Sequence, residues 1–336
     1  MPWSRVVRFT DPLACQAAIQ SADVEILPTT TGDFQVEITQ VEMHRLCVQR
    51  FKVASPAVCK VAYKSDRRSV GFLTESNSAS LQHRGLDILP GDIIISGSDV
   101  AHRRSGADFH YGSISLATNE LDAAGRVITG DEYMTRLDQP IRPHRLPMAR
   151  LLKLHKLLGQ LAHDTPEILK LPEVVRALEN ELVHAMVECI SDGADFEATS
   201  GGRRHDMIMR RFEEFLAAHP HRPLYLTEIC AGIGVAERTL RAACEEHLGM
   251  GPIRYLTLRR MHLVRHALLG ADAGKTNVTR VVTDHGFWEL GRFSVAYRTL
   301  FRESPSETLR RPVAQLQAYL GRASSLPADV VAGGWN

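Results

Sequence analysis

Short segments in which hydrophobic and polar residues alternate follow one another between Phe34 and Leu116. They are rich in Val, Ile, Phe and Tyr and are separated by turn residues, a pattern typical of an antiparallel sandwich or barrel. The turn Leu89-Pro90-Gly91-Asp92 leads into three isoleucines, which predicts a buried strand directly after a turn. The six segments are FQVEITQV, RLCVQRF, AVCKVAY, SVGFLT, ILPGDIIIS and FHYGSISL.

The hydrophobic period changes between residues 147 and 191, where apolar residues recur every three or four positions. The pattern predicts two amphipathic helices, and Pro166 and Pro172 provide the break between them. We expect their apolar stripes to cover the barrel, to pair two chains in a dimer, or both. If they form the dimer interface, polar substitutions at Leu154 and Leu158 should produce monomers.

Two similar patterns occur in the last third of the chain, and each predicts a short helix, a glycine turn and a longer helix. The first is LTEICAGIGVAERTLRAACEEHLG, with Gly234 at the turn, and the second is VTRVVTDHGFWELGRFSVAYRTLF, with Gly286. Glycine suits such a turn because it adopts positive φ without a steric penalty. We interpret the pair as two helix-turn-helix units that read DNA.

The second helix of each unit has one apolar and one polar face. The inward stripes are Leu240, Cys244 and Leu248 in the first unit and Phe293, Tyr297 and Leu300 in the second. An exposed arginine can donate two hydrogen bonds to guanine, contact a phosphate, or simply be solvated, and all three alternatives stay open for each arginine. The predicted DNA-contacting residues are Arg238, Thr239, Arg241, Glu245, Glu289, Gly291, Arg292, Val295 and Arg298.

A third helix, from Pro252 to about Leu269, should connect the two units. Its 18 residues would span roughly 27 Å, which suits two reading heads held about one turn of DNA, roughly 34 Å, apart. The residues expected on its inner face are Leu258, Met261, Val264 and Leu268, and those expected on its outer face are Arg259, His262 and His266.

The charge of the chain is unevenly distributed. Residues 203–311 carry 18 Lys and Arg against 12 Asp and Glu, whereas residues 1–202 carry 21 against 26. A local positive field favours binding to phosphate backbones through counterion release. The sequence has neither a membrane-length apolar run nor a signal-peptide core, so we expect a cytoplasmic, nucleoid-associated protein that does not enter a membrane.

The sequence offers little enzyme chemistry. Six scattered cysteines without a CxxC pair indicate buried thiols rather than a zinc ribbon or disulfide framework. His83, His102 and His110 lack the spacing of a metal-binding barrel, and Arg103-Arg104 indicates a solvated loop more than an anion site. We therefore predict no catalytic residues, no metal and no cofactor, while a metal-dependent cupin enzyme fused to a helical domain and a constitutive DNA-binding protein without ligand remain the alternatives.

Residues from about Met207 to Arg311 resemble the DNA-binding domain of the AraC/XylS family of bacterial transcription regulators. The run GFWELGRFSVAYRTLFRESPSETL is similar to the subgroup that includes the ethanolamine-utilisation operon activator, and the strand pattern before it resembles cupin-like barrels. The residues that carry the resemblance are Leu226, Ala231, Gly234, Leu240, Leu248, Gly249, Arg260, Met261, Leu268, Leu269, Val281, Gly286, Phe287, Phe293, Tyr297, Phe301, Pro305 and Ser306.

With this resemblance the chain is expected to be an α+β protein in five parts. They are a cupin-like β-barrel or sandwich sensor domain (1–146), a helical dimerisation or packing segment (147–191), a linker (192–205), an all-α domain with two helix-turn-helix units (206–312) and a partly disordered tail (313–336).

The resemblance implies an effector-responsive, sequence-specific activator of a nearby operon. Its partners would be double-stranded DNA, RNA polymerase, a small-molecule effector and a second copy in a homodimer, although the sequence assigns no effector-binding residue. Two positions depart from the family pattern. Ala236 stands where relatives often have Ser or Thr, so the first reading helix lacks an N-cap, and Cys244 is smaller than the aromatic of many relatives.

Overall fold

The computed structural model describes residues 2–19, 22–63, 66–76, 79–97, 100–130, 138–195, 200–219 and 223–311. The first part of the chain forms two antiparallel sheets. Their strands are β1 (Trp3–Phe9), β2 (Ala22–Pro28), β3 (Val36–Glu42), β4 (Cys47–Val53), β5 (Ala57–Tyr63), β6 (Arg67–Leu73), β7 (Leu81–His83), β8 (Leu86–Ile88), β9 (Ile93–Ser96), β10 (Val100–Ser105), β11 (Phe109–Ala117), β12 (Pro140–Arg142) and β13 (Ala194–Asp195).

One sheet has the strand order β1-β3-β4-β11-β6-β9-β12-β13 and the other β2-β5-β10-β7-β8. The two sheets enclose a cavity, which side chains from both of them line. In β11, Tyr111 and Ser113 line this cavity, whereas Ile114 and Leu116 pack on the opposite face against helices. A strand covered on both faces explains why this segment is almost continuously buried.

The helices of the N-terminal half are α1 (Pro12–Ala18), α2 (Thr118–Ile128), α3 (Arg145–Asp164) and α4 (Pro172–Ser191), with a 3₁₀ turn at Pro166–Lys170 between the last two. Each of the two predicted break residues opens the element that follows it. Helices α2, α3 and α4 share one hydrophobic core with the eight-stranded sheet. Covering the sheet is therefore the role of their apolar stripes in this chain.

The residues chosen for the dimer hypothesis are inside that core. Leu158 is 1% exposed and Leu154 packs against the same cluster. Polar substitutions there would disrupt folding rather than dissociate two chains, so the expectation for this pair was wrong. The reason is that the stripe facing inward on α3 is already occupied by the sheet.

Several elements gave no clear signal in the sequence. The alternating region was expected to begin at Phe34, but β1, α1 and β2 precede it, and α2 follows it. The start of α1 is fixed by Asp11, whose carboxylate accepts hydrogen bonds from the backbone N–H groups of Leu13 and Ala14. Within the predicted linker, β13 and the first turns of α5 (Ser200–Ala218) are regular structure.

The C-terminal part is helical and contains two hydrophobic cores joined by one helix. Its remaining helices are α6 (Leu226–Ile233), α7 (Glu237–Leu248), α8 (Pro252–Gly270), α9 (Val278–Asp284), α10 (Leu290–Phe301) and α11 (Pro305–Arg310). Helix α8 contributes Tyr255 and Leu256 to the first core and Met261, Val264 and Leu268 to the second. It therefore fixes the position of each unit relative to the other.

None of the described helices combines the length and the apolar composition that crossing a bilayer requires. The predicted tail, 313–336, lies outside the described residues.

Candidate nucleic-acid interface

Both predicted turns adopt the left-handed conformation that glycine favours. Gly234 ends α6 with φ 68° and ψ 37°, and Gly286 follows α9 with φ 79°. A Cβ added to Gly286 would also lie 2.4 Å from Cγ of Pro223, whereas Gly234 has open space around it. The two helix-turn-helix units are confirmed, and at Gly234 the backbone conformation is the reason for glycine.

The first reading helix, α7, has the two faces expected from its sequence. Leu240 and Cys244 are fully buried, while Arg238, Arg241 and Glu245 are exposed. Thr239 is half-buried. At the start of the helix, Ala236 makes no side-chain capping bond, as its sequence predicted.

The second reading helix, α10, repeats this division. Its inward aromatic residues are Phe293 and Tyr297, and the Tyr297 hydroxyl lies 2.9 Å from Oγ1 of Thr308 in α11. Leu300 is only half-buried. The predicted contact residues Glu289, Gly291, Arg292, Val295 and Arg298 are all exposed.

Two of the exposed arginines pair with acids on their own helices. Nη2 of Arg241 lies 2.7 Å from a carboxylate oxygen of Glu237, and Nη1 of Arg292 lies 2.8 Å from one of Glu289. Exposed pairs of this kind contribute only about 0–1 kcal/mol, so a phosphate or base can displace the acid at little cost. The structure thus leaves both arginines available to a ligand.

The structure adds Trp288, which sequence reasoning missed. Its side chain is 74% exposed, directly before α10 and beside the contact residues named above. A tryptophan is rarely left this exposed without a function in binding. The signal was its place in the turn, where an inward role would have required a position on the apolar stripe.

The outer face of α8 is partly covered, which contradicts two of the predictions for it. Nε of Arg259 lies 3.5 Å from a carboxylate oxygen of Glu25 in β2, and His262 is 9% exposed, with its ring edge-on to Phe301 at 5.0 Å. Of the three predicted outward residues, His266 alone is exposed. A pattern within one helix does not reveal that a distant sheet and a neighbouring helix cover its polar side.

The neighbouring Arg260 is likewise not a solvated partner of Arg259. Its guanidinium lies over the Phe287 ring, 5.3 Å from the ring centre, and burial lowers its pKa. Neither arginine of this pair is a free surface cation.

The first unit rests on the outer face of the five-stranded sheet. Leu27 and Val58 of that sheet belong to the core of the first unit, so the apolar contact between the two parts is continuous. The end of α7 also meets the sheet, because the side chain of Arg104 lies against Gly249. The reading helix is thus exposed at its beginning and held at its end.

Glu213 of α5 is the polar centre of this contact. Its carboxylate lies 3.1 Å from Nε2 of His102 and 3.0 Å from Nζ of Lys60, and it accepts a hydrogen bond of 2.9 Å from the Tyr255 hydroxyl. Burial by itself would raise the pKa of Glu213, but His102 and Lys60 outweigh it and hold the pKa well below its ordinary value. An ionised acid therefore joins β5, β10, α5 and α8.

The three candidate metal-binding histidines lie on different strands. His83, His102 and His110 are buried in β7, β10 and β11, and His102 binds Glu213 as described. Nδ1 of His110 lies 3.1 Å from a carboxylate oxygen of Glu75. Among the described residues, no three His, Cys, Asp or Glu side chains converge on a point that could hold a metal ion.

The Arg103-Arg104 pair was expected on a solvated loop, and this was wrong. Both residues lie in β10, where Arg103 faces the cavity between the sheets and Arg104 faces α7. The pair looked like a loop because two consecutive charges are unusual in a strand; here one of them is buried in a cavity.

A family model described as a helix-turn-helix domain matches residues 229–311. The chain is 32% identical over 169 residues to the probable thc operon regulatory protein of Rhodococcus erythropolis, which covers 46% of this chain and 47% of that protein. It is 25% identical over 240 residues to the XylDLEGF operon transcriptional activator 3 of Pseudomonas putida, covering 71% and 70%.

Among solved structures, the AraC-like transcriptional activator CuxR aligns with 79% of this chain and 96% of its own length, at 16% identity and a TM-score of 0.38. The chain spans about half the length of several of the curated relatives that it matches.

Proposed function

We propose, because the C-terminal domain of this chain belongs to the AraC/XylS family of transcription regulators, that the protein is an effector-responsive, sequence-specific DNA-binding regulator and activates a nearby metabolic operon. The observation that carries the proposal is the pair of exposed, arginine-bearing helices α7 and α10, which share the connecting helix α8. Arginines on such helices suit readout of base edges in two successive major grooves.

The division of the chain supports a sensing role for its first part. A two-sheet domain with an internal cavity, 1–146, packs against the first reading unit through Glu213 and the apolar contact beside it. A ligand that prefers one arrangement of this contact would change how the reading heads are presented to DNA. We propose RNA polymerase and a second copy of the chain as further partners, and the cytoplasm as the location.

The test is binding to DNA selected from a random duplex pool by the full chain. We expect the wild type to select a sequence with two half-sites. Arg241→Ala and Arg298→Ala should each weaken binding to that sequence by roughly tenfold or more, since one base contact contributes about 1–3 kcal/mol. Arg176→Ala, an exposed change on α4 far along the chain from both helices, is the control.

Salt titration separates the two kinds of contact. Loss of a phosphate contact should lower the slope of log affinity against log salt by about one and weaken binding to every sequence alike, whereas loss of a base contact should weaken only the selected sequence. If the full chain enriches no sequence and does not bind duplex DNA at low ionic strength, the proposed function is wrong.

A further inference from the structure

The cavity between the two sheets is almost entirely apolar. It has a volume of about 100 Å³ and is lined by side chains of both sheets and of α1. Its walls include Ile26, Phe51, Val61, Leu81 and Phe109. A closed apolar space of this kind usually holds an apolar molecule or nothing, because water would find few partners in it.

One cation enters this space. Arg103 is the single charged side chain among the described residues that line the cavity, and it is 8% exposed. Its Nε donates to Nδ1 of His83 at 3.3 Å and its Nη2 to Oγ of Ser96 at 3.0 Å. The guanidinium lies 5.5 Å and 5.1 Å from the ring centres of Tyr63 and Tyr111.

No described carboxylate lies within ion-pair distance of Arg103, in contrast to the acids that meet Arg84, Arg142 and Arg265. Burying a charge without a counter-charge is unfavourable unless a partner is supplied. The planar guanidinium suits a carboxylate, which can accept two parallel hydrogen bonds from it. A ligand acid would provide what the protein itself does not.

We infer that this cavity binds a small monocarboxylate with an apolar body, its carboxylate on Arg103 and its body among the apolar walls. A single cation neutralises one negative charge, so a dianion would be left half-compensated in an apolar space. For size, a protein cavity of about 150 Å³ admits benzene, so a ring or chain of about six carbons fits after small side-chain shifts. The inference deepens the proposed function, because this acid would be the effector.

Strand β10 connects the ligand position to the reading unit. Arg103 and Ser105 face the cavity, whereas His102 and Arg104 on the opposite face contact Glu213 and Gly249. Successive side chains of a strand point to opposite sides, so an acid that moves Arg103 also moves its two neighbours in the contact with α5 and α7.

The experiment is calorimetric titration of the full chain with cyclohexanecarboxylate and with its neutral counterpart, cyclohexanecarboxamide. We expect the acid to bind the wild type at least 30-fold more tightly than the amide. Arg103→Met should remove this preference, and Arg104→Met, the same substitution on the other face of the strand, should retain it. Arg103→Lys keeps the charge without the planar fork and should bind the acid with an intermediate affinity.

Equal binding of acid and amide by the wild type, or wild-type affinity for the acid in Arg103→Lys and Arg103→Met, would overturn the inference. If Arg103→Met does not fold, the Arg103→Lys comparison decides alone. Affinity for the selected DNA is measured separately in the absence of acid. Loss of DNA binding with intact acid binding would contradict the proposed function and leave the cavity assignment standing, and the reverse result would do the opposite.

Discussion

His155 shows how a single buried residue connects packing to pH. It lies on α3 with its ring against the backbone of β11, because a Cβ at Gly112 would come within 2.8 Å of Cε1 of the ring. Its Nε2 lies 3.1 Å from the backbone oxygen of Gln49, and Phe72 meets it edge-on. Burial lowers the pKa of His155 to about 4, and burial likewise lowers that of His247 in α7 to about 4.

These two histidines predict that stability falls with acidity. Both are neutral in the folded chain down to about pH 4, whereas in the unfolded chain they take up a proton near pH 6.5. Each contribution is therefore complete above pH 6.5 and is lost as the pH falls towards 4, by about 1.4 kcal/mol per pH unit. Urea unfolding at a series of pH values measures the slope.

The variant His155→Gln should reduce that slope, since glutamine does not titrate and keeps a donor for Gln49. His266→Gln, the same substitution at an exposed position of α8, controls for the change of residue. An unchanged slope in His155→Gln would show that this histidine is already protonated in the folded chain.

At this scale the sequence predicted which residues face inward where the period of one helix decides, as for Leu240 and Phe293. It did not predict Arg103 or His262, whose burial depends on elements far away in the chain. Nor did it reveal Glu213, because an acid on the apolar stripe of a helix looks unfavourable until Lys60 and His102 arrive from another sheet.

Among the elements, α7 is the one whose sequence contains a correctable weakness. Its first residue, Glu237, suits the positive end of the helix dipole, but no side chain caps the backbone N–H groups in front of it. Helix α9, in contrast, begins at Asn277, whose side chain accepts a hydrogen bond from the N–H of Arg280.

We expect Ala236→Ser to stabilise the chain by about 1 kcal/mol, because a serine at this position can accept a bond from the N–H of the second or third helical residue. Thermal and urea unfolding measure the gain. Ala242→Ser, on the exposed middle of the same helix, offers no cap and should be neutral or slightly destabilising. An equal effect of both substitutions would contradict the capping argument.

Elements with a strong period were predictable, and those with special surroundings were not. Helices α3, α4, α7, α8 and α10 follow apolar stripes that are visible in the sequence. Strand β10 carries two arginines and a histidine and was missed, because its charged residues are satisfied by a cavity and by a neighbouring domain. The predicted linker differs from the structure for a similar reason, since α5 begins at Ser200 and ends in the core of the first unit.

For the whole molecule, the decisive contact is the one between the two-sheet domain and the first reading unit. Glu213 collects the charge of Lys60 and the hydrogen bonds of His102 and Tyr255, so removal of its charge leaves partners from three elements without compensation. Breaking a buried pair in this way is more damaging than never having had it.

We predict that Glu213→Gln lowers the free energy of unfolding by about 3 kcal/mol near neutral pH. Because the pKa of Glu213 is depressed, its contribution is present above the ordinary value of 4.5 and lost as the pH falls, so wild type and variant should converge in acid. Glu214→Gln, the adjacent exposed acid, should change stability by less than about 0.5 kcal/mol. A similar small change at both positions would show that Glu213 is not a structural charge.

Helix α8 also limits how the length of this chain can vary. An α-helix turns by about 100° for each residue, so a single inserted residue within Pro252–Gly270 would rotate the second unit by that angle and move it by about 1.5 Å. The arginines of α10 would then point away from a groove that α7 still occupies. Insertions or deletions in this segment are therefore expected to preserve function only when they add or remove close to a complete turn.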